Sequence, residues 1–578
     1  MKMYEYQSFQ ESDKKVLMFY HLWHGCFTES AVNIDIHAPR NITRTIKENR
    51  DALNNEDILG PYISYHYWGE PLFGYYDLAK DEYVIRKHAQ MLTDGGVDGI
   101  VIDYSNYMGG RGKAYTKNEL TNLLETYLKM REEGNRTPDV AIMCTWSAEE
   151  GARAANDFYE DFYTKDKYYD LWFKWEGKPL ILVHPQKISY ELKDFFTTRR
   201  PYPFLTPVDE ENAWPWLSLY PQKCGYTKDN PKEVVSVGIA QNWSDSLDFF
   251  SARDEKGHFI TRGRSWSSKG HKLLKDPTSS LYESHKGANF NECFERAIEL
   301  DPNVIFVTGF NEWIAARFKN VPSWARMSKD TTPPFGAFCD AFTTEFSRDI
   351  EPTREEELKD SFYLMLVENV RRYKRVESKT DIIVPIRIEI DGNFEDWDGV
   401  ENEYHDDVND IANRHAQGIG RHVYVNTTGR NDFKLMKVAY DNDYIFFFCE
   451  TVSDITPYTD ENWMNLLLHV SFDRPHWEGY NFIVNRTGVR NNHTTLEKSL
   501  GGFNWEVVDD KIPYRVKGNK LELAIKRNVL GVCDKDIDFM FKWCDNIKYE
   551  DILNFYTDGD TAPNGRFNFR FCTKEVQT

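Results

Sequence analysis

The sequence predicts a (β/α)8 barrel followed by an all-β sandwich. Three observations carry that expectation. Eight short apolar runs recur through the first 350 or so residues, most of them separated by stretches of helical spacing, the alternation that builds a parallel sheet. No GxGxxG or GxxxxGKS/T follows any of these runs, which removes the nucleotide-binding form of an open doubly wound sheet. From Ile382 onward helical spacing nearly vanishes, and extended runs alternate with Asp, Asn and Gly turns. The division falls at residues 1–380 for the barrel and 381–578 for the sandwich.

The barrel strands are read as follows. Val16–Tyr20 is the first and Tyr62–Trp68 the second. Leu78–Leu92 has helical spacing and stops at Gly95–Gly96, where a helix end favours glycine. Gly99–Asp103 is a continuous apolar run of the kind buried on both faces. Thr116-x-x-Glu119 is a capping box, opening a helix with Leu120, Leu123, Leu124 and Tyr127 on one face. Val140–Trp146 follows as a strand and Ala148–Thr164 as a helix. Lys178–His184, Tyr202–Val208 and Val234–Trp243 are three further strands, Asn291–Leu300 is helical, and Val304–Phe310 is the eighth strand. A long helix over Glu355–Tyr373 closes the domain. Its terminal Arg371, Arg372, Lys374 and Arg375 complement the helix dipole rather than form an anion site.

The sandwich strands are Ile386–Ile390, Lys437–Tyr440, Tyr444–Glu450, Met464–Phe472, Tyr480–Asn485, Lys520–Ile525 and Phe567–Phe571. Asp391–Gly392–Asn393 and Asp441–Asn442–Asp443 supply turns between them.

Composition narrows the function. Acidic residues outnumber basic ones 92 to 71, a net charge of −21, which repels phosphate backbones and anionic lipid. No stretch approaches the roughly 18 apolar residues that span a bilayer. Neither nucleic acid nor membrane is therefore an expected partner. The nine cysteines contain no CxxC, against a disulfide framework or a zinc ribbon. With a polar N-terminus that lacks a secretory layout, the expected compartment is the cytoplasm.

In a barrel the chemistry sits at the C-terminal ends of the strands. Those ends carry His21, Trp23 and His24, then Tyr65, His66, Trp68 and Glu70, then Asp103 and Tyr104. They continue with Trp146, Trp243 and finally Asn311, Glu312, Trp313 and Arg317. Aromatic faces beside carboxylates suit glycosidic-bond cleavage, in which one carboxyl group protonates the leaving oxygen and another activates water or attacks carbon. A glycan is the expected substrate. Glu312 is the candidate base or nucleophile, and Asp103 the candidate acid. Each has a structural alternative, an ion pair for Glu312 and a strand-end cap for Asp103. The remaining residues are candidate glycan contacts, and the five tryptophans together predict a stacking cleft. No HxH or HExxH occurs, so the histidines are read as hydroxyl-binding groups rather than as a metal site.

Phe19–Gly25, Tyr65–Gly69, Asp98–Asp103 and Gly309-Phe-Asn-Glu-Trp313 resemble the endo-α-mannosidase family, glycoside hydrolase family 99, and its wider WbsX-like group. The resemblance covers most of residues 15–350 and implies a (β/α)8 barrel without an organic cofactor. It makes Glu312 the base that acts through the sugar 2-hydroxyl. The family's second catalytic glutamate falls on Ala315, which cannot donate a proton, so Asp103, or Glu70 after it, is the substitute. A WbsX-like glycan-synthesis transferase and a non-catalytic glycan-binding protein are the alternative readings. Ile390–Trp397, Val438–Ile445 and Ala562–Asn568 resemble family 9-like carbohydrate-binding sandwiches. Trp477 and Trp505 are candidate sugar platforms, while Trp543 reads as core. Asp391, Asp396 and Asp398 are candidate calcium ligands, and a solvated acidic turn is their plainer reading.

Overall fold

The computed structural model describes residues 2–9, 12–24, 41–49, 51–59, 62, 65–112, 114–246, 250–254, 256, 258–270, 283–318, 337–338, 341–376, 383–533 and 536–573. Eight parallel strands form a nearly closed barrel in chain order. They are β1 (Lys15–Tyr20), β2 (Gly99–Tyr104), β3 (Asp139–Cys144), β4 (Lys178–Leu182), β5 (Thr197–Tyr202), β6 (Ala213–Pro215), β7 (Val234–Gly238) and β8 (Val304–Thr308). Pairing runs unbroken from β7 through β8 and β1 to β6. Between β6 and β7 the seam is bridged by Gly225, which pairs with Val234, and by Tyr226, which pairs with Glu211.

Alternation along each strand separates two cores. Leu17, Phe19, Val101, Met143, Leu182 and Phe306 fill the barrel interior. Val16, Met18, Tyr20, Ile100, Ile102 and Tyr104 face the outer helices. Two residues per step, the inward series of β1 arrives at His21 and that of β2 at Asp103. Both stand at the C-terminal mouth.

Several expectations need correcting. Tyr62–Trp68 does not supply a barrel strand: Tyr65–Tyr67 pairs antiparallel with Ile314–Phe318, setting Ala315 opposite His66. The barrel gains β6 instead, a three-residue strand, and β5 ends at Tyr202 where the expected strand began. The capping box is not closed by its threonine. Thr116 donates its hydroxyl to the Tyr104 hydroxyl, and Lys117–Glu132 starts without a side-chain cap. The closing helix is Ser361–Lys374. Its basic end is consumed by Glu295, Asp98 and the Glu5 carbonyl, which bind Arg372, Lys374 and Arg371.

Gly309, directly after β8, adopts φ +123°, and a Cβ there would overlap the Arg348 carbonyl. Only glycine lets the segment around Arg348 lie against the strand end. Gly309→Ala should therefore destabilise the protein by about 2–4 kcal/mol. Chemical denaturation checks this, and an unchanged midpoint would mean that the two segments do not meet there.

The C-terminal region is a sandwich. One layer centres on Phe433–Tyr440, Tyr444–Thr451 and Lys520–Lys526, the other on Asn465–His469, Asp538–Asp545 and Phe567–Cys572. The 14-residue strand Asn504–Lys517 joins both. Phe447, Leu466, Phe541 and Trp543 pack between the layers. Trp477 is buried against Tyr480 and Tyr549 rather than offered as a sugar platform, and Trp505 packs beside it. Tyr4–Glu5 adds to the sandwich by pairing parallel with Phe567 and Asn568. No helix among the described residues is long and apolar enough to cross a membrane.

Candidate active site

Two of the expected carboxylates meet at one histidine. His21 Nε2 lies 3.5 Å from Asp103 Oδ2 and 3.6 Å from Glu312 Oε1. Those two oxygens are therefore no more than about 7 Å apart, close enough for two carboxyl groups to act on one glycosidic bond. All three side chains are at most 5 % exposed. Burial pushes the His21 imidazole well below its usual range, with His24 and Arg348 acting in the same direction. A neutral ring carries one N–H, and at these distances His21 Nε2 hydrogen-bonds neither carboxylate.

The backbone beneath these groups is fixed by hydrogen bonds. His21 N–H donates to Asn311 Oδ1 at 2.8 Å, and Asn311 Nδ2 returns a bond to the His21 carbonyl at 3.0 Å. The ends of β1 and β8 are thereby held in register. His24 Nε2 meets the Asn311 carbonyl at 2.6 Å, and burial lowers its pKa to about 4. Asp103 Oδ1 accepts from Ser105 N–H at 2.9 Å, so its turn-capping and His21 contacts coexist.

Sequence reasoning missed the segment that orients Glu312. Arg348 Nε donates to Glu312 Oε2 at 2.7 Å, and Asp349 Oδ1 accepts the Glu312 N–H at 2.5 Å. Arg348 gives Glu312 the opposite charge that a buried carboxylate requires. Asp349 Oδ2 also accepts from Trp68 Nε1 at 2.7 Å, and burial lifts this carboxyl to about 6. Glu351 accepts from Tyr76 OH at 2.7 Å and Trp313 Nε1 at 2.5 Å, and lies 3.1 Å from His88 Nε2. The only signal in the sequence was the density of acidic and basic residues over 345–357, which follows neither helical nor strand periodicity.

The tryptophans do not form the expected cleft. Trp68 and Trp313 stack on each other, centroids 4.5 Å apart, and are 1 % and 0 % exposed. Trp243 is buried against Phe250. Trp23 is buried between His21 and Tyr65. Trp146 alone of the five is exposed, beside Phe204. His66 is buried edge-on to Phe338. Tyr104 points away from the mouth, packing on Phe158 and bonding Thr116. Glu70 binds Arg44 at 2.9 Å, and its carbonyl accepts from Arg354 N–H. Arg317 lies buried on Ile314–Phe318, its guanidinium over Tyr62.

Glu345 opens the orienting segment, accepting from Ser265 N–H, Ser265 Oγ and Ser284 Oγ. Burial still raises its carboxyl to about 7. A folded pKa above the unfolded one gives stability that is complete below the unfolded value and lost as pH rises through about 7. The loss is on the order of 3 kcal/mol between pH 4.5 and 8. Glu345→Gln should flatten this slope, measured by denaturation at those two pH values. An identical slope in the variant would remove Glu345 as its source. His24, with its folded pKa lowered, acts oppositely: its contribution is present above about 6.5 and fades as pH falls towards 4.

No protein-family model matches the chain, and no curated protein matches it. Among solved structures, two of the family 99 endo-α-mannosidase from Bacteroides thetaiotaomicron are similar at 13 % and 17 % identity, each with a TM-score of 0.34. They cover 63 % and 64 % of this chain and 98 % and 100 % of their own. A β-glucuronidase from Bacteroides uniformis is similar at 8 % identity and a TM-score of 0.25, over 83 % of this chain and 63 % of its own. Likeness at this level decides nothing about chemistry, which rests on the residues at the barrel mouth.

Proposed function

We propose that the protein is a glycoside hydrolase acting on an oligo- or polysaccharide, with Glu312 and Asp103 as its paired carboxylates. The observation that carries this reading is the contact of both groups with His21 Nε2 at the mouth of a (β/α)8 barrel. Glu312, ion-paired to Arg348, is the base or nucleophile, because a charged carboxylate can accept a proton or attack carbon. Asp103, the second carboxylate beside His21, is the group that protonates the leaving oxygen. His21 is a positioning residue, since its Nε2 stands beside both carboxylates. Ala315 lies in a strand and offers no proton, so the acid comes from the other side of His21.

Asp103→Asn should lower hydrolysis of natural glycans by roughly 10²–10⁴-fold at unchanged fold. The loss should be much smaller for an aryl glycoside whose leaving group needs no protonation. Equal losses on both substrates would remove Asp103 from the acid role. His21→Gln should shift the pH profile of kcat as well as lower it, which a purely structural part would not do.

A further inference from the structure

We propose that the junction between barrel and sandwich holds one calcium ion, liganded by Asp406, Asp410 and Asp560. One oxygen from each of these residues lies within 4.8 Å of the others. An all-oxygen set with no histidine suits a hard divalent cation. Asp410 and Asp560 are 3 % and 2 % exposed, so the cluster is not a solvated acidic surface.

A second observation comes from the other domain. Gln90, on barrel helix Glu82–Asp94, donates Nε2 to Asp410 Oδ2 at 2.9 Å, while its own Oε1 is buried without a hydrogen-bond donor. Asp410 Oδ1 and Asp406 Oδ2 are buried without donors as well. Every orphaned atom here is an acceptor. Leaving such an atom buried and unsatisfied is costly, and a cation meets several at once where hydrogen bonds meet none.

Charge points the same way. Asp410 is the strongest acidic influence on Asp406, Asp407, Asp432 and Asp560. Lys87, Lys542 and Arg136 are the cations that face this group. The acids outnumber them. These carboxylates repel one another across a buried space. A divalent ion discharges that repulsion without storing protons.

The ion would join sandwich loops to a barrel helix, independently of any hydrolase activity. The test uses the full chain. Metal content is measured on protein purified without chelator, and chelator-stripped protein is then titrated with calcium chloride by calorimetry and thermal unfolding. We expect one equivalent bound and an unfolding midpoint raised by several degrees, with magnesium chloride giving a smaller rise. Asp410→Asn should weaken calcium binding about 10-fold or more, yet raise the metal-free midpoint by relieving repulsion, so misfolding is distinguished from lost binding. Asp391→Asn should leave the calcium shift intact. Stripped wild type that binds no calcium overturns the proposal. So does a shift that survives in Asp410→Asn or disappears in Asp391→Asn.

Discussion

Glu312→Gln is expected to lower kcat by roughly 10²–10⁴-fold while leaving the far-ultraviolet spectrum unchanged. The amide keeps an acceptor for Arg348 Nε, whose bond to Glu312 is 2.7 Å, so the geometry around Asn311 survives. The lost property is negative charge beside His21. Without it the site has no base to accept a proton and no nucleophile to attack carbon. A stability cost accompanies the kinetic one, because Arg348 is then a buried guanidinium without its carboxylate. Rates are best compared well below the variant's unfolding midpoint, on wild type and variant of measured folded fraction. Activity within a few-fold of wild type would end the hydrolase assignment at this residue and favour a glycan-binding role for the barrel mouth.

Glu351→Leu is expected to be the most destabilising single change near the site. Glu351 receives bonds from Tyr76 and Trp313 and lies 3.1 Å from His88 Nε2, and its carboxylate is fully buried. Leucine fills the space but abandons two buried donors and a histidine. Each abandoned polar group costs about 1–3 kcal/mol, so the total should reach about 3–5 kcal/mol. Glu351→Gln should recover a large part of that loss by restoring one acceptor. Guanidinium denaturation of both variants supplies the comparison. Leucine tolerated at under about 1 kcal/mol would show that the network is not a net stabiliser.

Much of the architecture was legible because its strands are apolar on both faces. β1, β2, β3, β4, β7 and β8 announce themselves as runs of Val, Ile, Leu and Met. β6 could not, since Ala213–Pro215 is three residues long and ends in proline. Tyr65–Tyr67 misled for the opposite reason: it is extended and aromatic, but its partner is Ile314–Phe318, and no local pattern encodes that pairing. At the site, the ends of β1, β2 and β8 were found because alternation and strand position fix them. The tryptophans were misread because aromatic residues at a strand end look alike whether they await a ligand or fill a core. Trp68 and Trp313 fill it. Arg348, Asp349 and Glu351 were missed because their placement depends on contacts with residues more than 30 positions away in sequence.

The pairing of Tyr4 and Glu5 with Phe567 and Asn568 has a consequence for how the protein is made. A ribosome adding about 5–20 residues per second needs roughly half a minute to two minutes between emitting one partner and the other. Throughout that interval the leading segment has no strand to join, and Arg371, which donates to the Glu5 carbonyl, has nothing ordered to hold. Phe567–Cys572 is therefore made long after the segment it fastens. A chain cut short before residue 567 would lose more than the end of its sandwich, because its opening residues would stay unmoored.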